Sequence, residues 1–368
     1  MRTLVIGGTG PTGPHVVAGL RERGHEVTIF HRGTHELPAL ADLEHIHGDP
    51  HFRESIDEAL SGREFDAVLA MYGRIRHVAP ALAGRCDRFI TIGGVPVYRG
   101  YFPRPGSPGL PIPVTETHPV VRDAGDDAAL QFSARLAQAE DLTFAEHPAA
   151  TILRFPMIYG PNNARPHEWP VIRRVRDGRP HMIIPDGGCQ VYTRCAARNA
   201  AAFVLAAVDR PEVAAGQVYN CGDRVSWSLR EWIETIVGLL GAELELVSIP
   251  SEIAVEAAST LLPLGGTTAT HCILSTAKAE RELGYRPVID PVRALAEVLE
   301  WYDAHRDLDP GVSPSMTDRF DYATEDDLIA RYRDAAPLIR DAVAQQAAPP
   351  VHSMPHPKAP GRVDERGR

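Results

Sequence analysis

Residues Leu4–Gly13 read LVIGGTGPTG, a short apolar run that passes directly into three glycines spaced three apart. This pattern constrains the fold more than any other in the chain, because a strand, a glycine turn and a helix start build a place for a pyrophosphate. Gly7 permits the tight turn, Gly10 lets backbone approach the phosphates, and Gly13 lets the next helix pack on the strand. A helix expected over Thr12–Arg23 offers unpaired N–H groups and its positive dipole end to an anion, with Pro11 and Thr12 part of the same turn. The strand–turn–helix–strand unit is complete (Thr3–Ile6, Thr12–Arg23, Glu26–Phe30), which distinguishes it from a bare glycine-rich turn and predicts dinucleotide binding.

With 368 residues the chain has room for one large α/β domain and a smaller partner domain. Its formal net charge of −10 argues against nucleic acid as a partner, since phosphate contacts need a basic surface. Arg173, Arg174, Arg176 and Arg179 form one basic stretch, read as a solvated helix face or a local anion clamp. No apolar run approaches a membrane span and the first residues read as a core strand, so no membrane association and a cytoplasmic location are expected. The five cysteines show no paired ligand spacing and read as small buried residues, and no metal is expected. Only two lysines occur, Lys278 and Lys358, and neither lies in the nucleotide-binding half.

Strand-like runs at Leu43–His47, Asp66–Ala70, Asp87–Ile92 and Ala150–Arg154 alternate with helical patterns at Arg53–Leu60, Arg76–Ala83 and Asp127–His147. One of Asp123, Asp126 and Asp127 is expected to cap the last of these. Alternation of this kind predicts an α/β fold, a doubly wound parallel Rossmann sheet with a second, smaller substrate-binding domain, whose ligands sit beyond the carboxyl ends of the strands. Gly93–Gly125 is a long loop rich in Pro and Gly, of the sort that serves as a lid or binding loop. The expected division is 1–154 for the cofactor domain, 155–343 for a mainly substrate-side domain with elements returning to the sheet, and 344–368 for a disordered tail.

Taken together these residues resemble the extended short-chain dehydrogenase/reductase superfamily, the NAD-dependent epimerase/dehydratase group. The likeness runs through Gly7-Gly8-Thr9-Gly10-x-x-Gly13, Gly48-Asp49 and Val97-Tyr98, then Leu153-Arg154-Phe155-Pro156-x-x-Tyr159-Gly160-Pro161 and Lys278-x-x-x-Glu282-Leu283-Gly284-Tyr285-x-Pro287, covering about Met1–His305. It implies a bound nicotinamide cofactor, with Asp49 meeting the adenine, a small-molecule substrate held between the domains, and a homodimer paired through the helices that flank the fifth strand. At the end of the second strand, where NAD binders usually carry an acid for the ribose hydroxyls, stand His31 and Arg32. Arg32 can pair with a 2′-phosphate, so NADP is preferred over NAD.

The chain also departs from the resemblance. A Ser or Thr is expected four residues before Tyr98, where Gly94 stands, and a Tyr-x-x-x-Lys pair one helix later, where Phe132 and Leu136, or Gln131 and Arg135, fall instead. The family's lysine lowers the tyrosine's pKa so that the phenol exchanges a proton, and no lysine in the first domain can take that part. Substitute acid/base candidates are Tyr98, Tyr72 and His77, each just beyond a strand end. Tyr101, Tyr159, Asn162, Asn163, Arg165, His167, Trp169, Tyr192 and Arg194 form the expected substrate lining. Three readings stay open: a nicotinamide-dependent reductase or epimerase/dehydratase with relocated proton transfer, a non-redox isomerase, lyase or cyclase, and a cofactor-binding protein without turnover.

Overall fold

The computed structural model describes residues 1–102, 109–251, 271–307, 318, 320–344, 356–364 and 367. The expected alternation is present. In chain order the first half contains β1 (Arg2–Ile6), α1 (Gly13–Glu22), β2 (Glu26–His31), β3 (Glu44–His47), α2 (Arg53–Ala59), β4 (Phe65–Ala70), α3 (Ile75–Ala81), β5 (Cys86–Gly94), α4 (Ala128–Glu146) and β6 (Thr151–Phe155). The second half continues with β7 (Met157–Tyr159), α5 (Trp169–Arg176), β8 (His181–Pro185), β9 (Val191–Tyr192), β10 (Arg194–Ala196), α6 (Ala197–Asp209), α7 (Pro211–Ala214), β11 (Gln217–Asn220), β12 (Trp227–Ser228), α8 (Leu229–Leu239) and β13 (Glu245–Ile249). Helices α9 (Ala277–Glu282), α10 (Pro291–Ala304) and α11 (Tyr322–Ala344) complete the described elements.

Seven strands form one sheet in the order β11-β6-β5-β4-β1-β2-β3. Every pairing in it is parallel. Such a sheet is covered on both faces, which is why β1 and β4 are near-continuous apolar runs rather than alternating ones. Leu4, Val5 and Ile6 are all fully buried, yet they fall in different core clusters, Val5 with α1 and α6 on one face and Leu4 and Ile6 with α2 and α3 on the other. Strand order reverses between β1 and β4, the point at which parallel sheets open a crevice beyond their carboxyl ends.

Two elements return to this sheet from beyond residue 155. Helix α6 lies against α1 so closely that a Cβ on Gly19 would stand 2.2 Å from Leu205 Cδ1. Strand β11, four residues with no apolar periodicity of its own, adds the outermost parallel strand beside β6. Other second-half elements build a separate core, in which Trp232, Ile236, Leu295 and Val298 from α8 and α10 pack around β8 and α5. Each large apolar side chain buried there contributes about 1.5–3 kcal/mol.

Asp127 provides the expected cap, with Oδ1 accepting from the Leu130 amide at 3.1 Å. The basic stretch on α5 departs from the solvated face read from sequence. Arg174 is fully buried and donates to Asp318 at 2.6 Å, and Arg176 donates to the Tyr302 carbonyl. Of the long proline loop, residues 103–108 lie outside the described residues. Its described parts are drawn into the core: Val97, Tyr98, Val114 and Val121 are buried, and the Val114 amide donates to Ile273 O. Met1–Asp321 forms one compact unit and Tyr322–Arg368 a second, whose described part is largely α11. Within the expected tail, 345–355, 365, 366 and 368 lie outside the described residues. No helix among the described residues is long and apolar enough to cross a membrane.

Candidate active site

A cavity of about 660 Å³ opens where the strand order reverses, running from the glycine loop to residues of the second half. Two of the glycines are required by what surrounds them. Gly7 has φ +98°, and a side chain there would also meet Tyr72; a Cβ on Gly13 would lie 2.0 Å from the Gly8 carbonyl oxygen. A Cβ on Gly10, by contrast, would find nothing within 4 Å, so the backbone is open to whatever enters the cleft. Helix α1 begins there with Thr12 as its N-cap residue, without a side-chain cap and without an acid in its first turn. Its amide dipoles and exposed glycine backbone fit an anion such as a dinucleotide pyrophosphate. Gly7, Gly10, Pro11, Thr12, Gly13, His31 and Arg32 all line the cleft.

The rim beside β2 is cationic and aromatic. Arg32, Thr34, His35 and Tyr72 line it, with the Arg32 guanidinium 5.8 Å from the centre of the Tyr72 ring. His51 meets the same ring edge-on at 4.9 Å. No carboxylate lines the cleft among the described residues. Asp49 does not reach it: its Oδ1 accepts from the His51 amide at 2.9 Å and from His51 Nδ1 at 2.7 Å. The amide bond first, and then the imidazole, hold the Asp49 carboxyl below its usual range.

At the other end the cleft has an apolar floor made by Ile92 of β5, Phe155 of β6 and Ile158 of β7. Asn162, Asn163 and Ala164 follow, and Trp301 and Tyr302 enter from α10. Asn163 fixes this loop, donating to Ile158 O at 2.8 Å and accepting from the Arg165 amide at 3.0 Å. Asn162 holds a left-handed φ of 61°, which asparagine tolerates better than most residues. Trp301 and Tyr302 were not among the sequence candidates. Their apolar spacing on an amphipathic helix reads as core, and only the folded chain reveals that this face also borders the cleft.

The remaining candidates lie elsewhere. Tyr98 is 1% exposed, donates to Asn220 Oδ1 at 2.7 Å, and has its phenol pushed up to about 12 by burial. The Arg154 guanidinium sits 4.7 Å over its ring and is itself paired with Glu140 at 2.6 Å. Tyr101 and Tyr192 pack with Tyr98, Val114 and Leu274 in one apolar cluster, which also takes in Leu136. A Cβ on Gly94 would stand 3.7 Å from Leu136 Cδ1, so a leucine occupies the space beside the end of β5. Tyr159 donates to the buried carboxylate of Asp223 at 2.8 Å, and Trp169 stacks on Tyr302 at 5.2 Å. Arg194 is buried against Trp232, and burial draws its guanidinium down to about 10. His167 is half-buried and held down to about 4 by burial and then by Arg194; Arg165 is exposed. His77 sits on α3 outside the cleft lining, its pKa lowered by partial burial and then by Arg76.

One group with unusual chemistry was missed. Glu168, at the N-cap of α5, is fully buried, its oxygens lack a well-formed hydrogen bond among the described residues, and burial pushes its carboxyl up to about 8. Sequence offers little warning, since a glutamate before a helix ordinarily reads as an exposed cap. Lys278, one of the chain's two lysines, donates to Gln217 and to Val218 O on β11, away from the cleft.

Comparison with known proteins accords with this geometry. Residues 7–106 match a family model described as NAD(P)H-binding. The chain is 26% identical over 257 residues to a 3-diazoavenalumate denitrifying reductase from a Streptomyces species, covering 66% of this chain and 82% of that protein. It is 24% identical over 317 residues to a chloroplast stem-loop binding protein of 41 kDa from Arabidopsis thaliana, covering 80% of this chain and 78% of that protein. Among solved structures, a dTDP-glucose 4,6-dehydratase from Streptomyces venezuelae with NAD bound superimposes with a TM-score of 0.63 at 20% identity, over 83% of this chain and 98% of that one. The chain therefore shares the fold of that dehydratase, and its residues 7–106 match an NAD(P)H-binding domain.

Proposed function

We propose that this chain, with its NAD(P)H-binding half and its epimerase/dehydratase fold, is an oxidoreductase that works on a small polar substrate and prefers NADP(H) to NAD(H). The observation that carries the reading is the single cleft that joins the open glycine backbone to the apolar floor of Ile92, Phe155 and Ile158. The glycine loop and the start of α1 would hold the pyrophosphate, Arg32 the 2′-phosphate, and the apolar floor one face of the nicotinamide. When bound, the cofactor supplies or accepts a hydride at that face. Asn162, Trp301 and Tyr302 border the space left for substrate, an amide donor and acceptor beside two aromatic surfaces.

Of the three acid/base candidates, Tyr72 alone lines the cleft, but at the Arg32 rim, where its ring would border the adenosine end of the cofactor, so proton exchange at the nicotinamide is assigned to none of the three. The similarity to a reductase supports the redox reading, and the chain's net charge of −10 weighs against a role like that of the stem-loop binding relative. Fluorescence titration with NADPH and NADH tests the cofactor assignment, with tighter binding of NADPH expected; equal affinities would remove the 2′-phosphate role of Arg32. NADPH oxidation with a panel of small carbonyl compounds then tests turnover. A second reading, cofactor binding without turnover, is favoured by Leu136 beside Gly94 and the enclosed Tyr98 phenol. Tight NADPH binding with no oxidation by any acceptor would select it.

A further inference from the structure

Strand β3 reads Glu-His-Ile-His, which places His45 and His47 on one face of the sheet, two residues apart. In the parallel register of β2 with β3, His31 is the direct neighbour of His47. Three imidazoles from two strands thus converge, with ring centres 5.0, 5.1 and 6.4 Å apart. The loop that follows β2 turns back over them through Gly33, at φ +72°, and carries Glu36 to the same point. His31 Nε2 lies 2.8 Å from His45 Nδ1 and 3.9 Å from Glu36 Oε1, and His47 Nε2 lies 3.0 Å from the same carboxylate oxygen. One ligand atom from each of the four residues falls within 4.8 Å of every other.

We propose that His31, Glu36, His45 and His47 form a binding site for a divalent transition-metal ion, with Zn²⁺ the ion whose chemistry fits best. Three imidazole nitrogens and one carboxylate oxygen are a donor set that zinc takes in closed four-coordinate sites. With metal–ligand bonds of about 2.0–2.1 Å, ligand atoms in a tetrahedron stand about 3.3 Å apart. The two shortest separations are below that because each is bridged by a hydrogen bond. A cation in place of those shared protons opens them by about half an ångström and draws the wider ones inward, 3.9 Å between His31 and Glu36 and none above 4.8 Å. The outer shell is already in place. His45 Nε2 faces the Leu40 carbonyl oxygen at 2.8 Å and donates to it, which leaves the Nδ1 lone pair directed at the cluster. Bound here, the ion ties the loop carrying Arg32 to β2 and β3, next to the cleft that His31 itself lines.

The test uses the full chain, free of any histidine tag and stripped with a chelator, titrated with Zn²⁺ alone against a chromophoric competitor. One equivalent is expected to bind, and Co²⁺ in its place is expected to give the visible absorption of a tetrahedral site. His47→Ala and Glu36→Gln alter side chains that are more than half exposed, so folding tolerates them. Each is expected to weaken Zn²⁺ by at least about 100-fold, the upper end of the cost of an outer-shell change alone. His35→Ala, in the same loop but outside the cluster, is expected to leave the affinity unchanged. Absence of binding to the parent chain, affinity unmoved by both His47→Ala and Glu36→Gln, or an equal loss in His35→Ala each overturns the site.

Discussion

The two sides of the cleft treat polar groups at strand ends in opposite ways. On the β1 side the backbone is left open: α1 starts without a side-chain cap, and nothing fills the space beside Gly10. On the β5–β6 side the polar groups answer one another, although Arg154 Nη1 is left without a hydrogen bond among the described residues. Glu140 pairs with Arg154, Arg154 covers the Tyr98 ring, and Tyr98 donates to Asn220, all enclosed. An unmatched polar surface is a binding surface, whereas a matched and buried one is structure. The contrast separates where this chain receives a ligand from where it stores stability, although both regions stand at the ends of neighbouring parallel strands.

The sharpest way to break the open side is Gly13→Val, whose side chain collides with the Gly8 carbonyl. NADPH binding is expected to disappear in fluorescence titration, a loss of 3 kcal/mol or more, about 100-fold or greater, while circular dichroism stays close to that of the parent. On the matched side, Glu140→Ala leaves the Arg154 charge buried without its partner. Urea unfolding is expected to show a loss of about 3–5 kcal/mol, and a loss below 1 would mean that the pair is not a structural unit.

Glu168 extends the comparison to pH. The folded carboxyl keeps its proton to about pH 8, while its ordinary pKa of 4.5 means the unfolded chain has already released it. Stability from this group is therefore intact below pH 4.5, falls as pH rises from 4.5 to 8, and then levels off. Glu168→Gln removes that slope, raising stability at pH 8 by a few kcal/mol relative to the parent; parallel melting profiles across this range would contradict it. Next in size, Arg32→Ala is expected to weaken NADPH by about 10–100-fold, the 1.5–3 kcal/mol of a charge-assisted contact, and to leave NADH unchanged. Smallest is Tyr98→Phe. It forfeits the bond to Asn220, costing about 1 kcal/mol in stability, and moves neither cofactor affinity nor turnover, whereas a fall in kcat would return Tyr98 to the chemistry.

What sequence could reveal depended on the distance over which a residue's role is decided. The glycine loop, Arg32 and the two asparagines owe their places to neighbours within a few positions, and all of them line the cleft. Tyr98 is governed by Asn220, 122 positions away, and Tyr159 by Asp223, 64 away. A tyrosine beyond a strand end has the same spacing whether it faces solvent or such a partner, so the polar–aromatic run read as lining became largely interior. Strand β11 escaped notice because four residues ending in Tyr-Asn show too little period to separate strand from loop. The histidine cluster required the β2–β3 register. His-x-His in one strand marks a shared face, but only pairing brings His31 opposite His47.

The return of β11 and α6 has a consequence for dissecting this protein. Cutting the gene after Phe155 would release a piece whose β6 offers a bare row of amides and carbonyls, and whose first helix shows the uncovered groove into which Leu205 fits. Such a fragment is a template for pairing with its own kind. Expressed alone, the nucleotide-binding portion is expected to precipitate, and supplying 156–344 as a second polypeptide is the route by which it regains solubility.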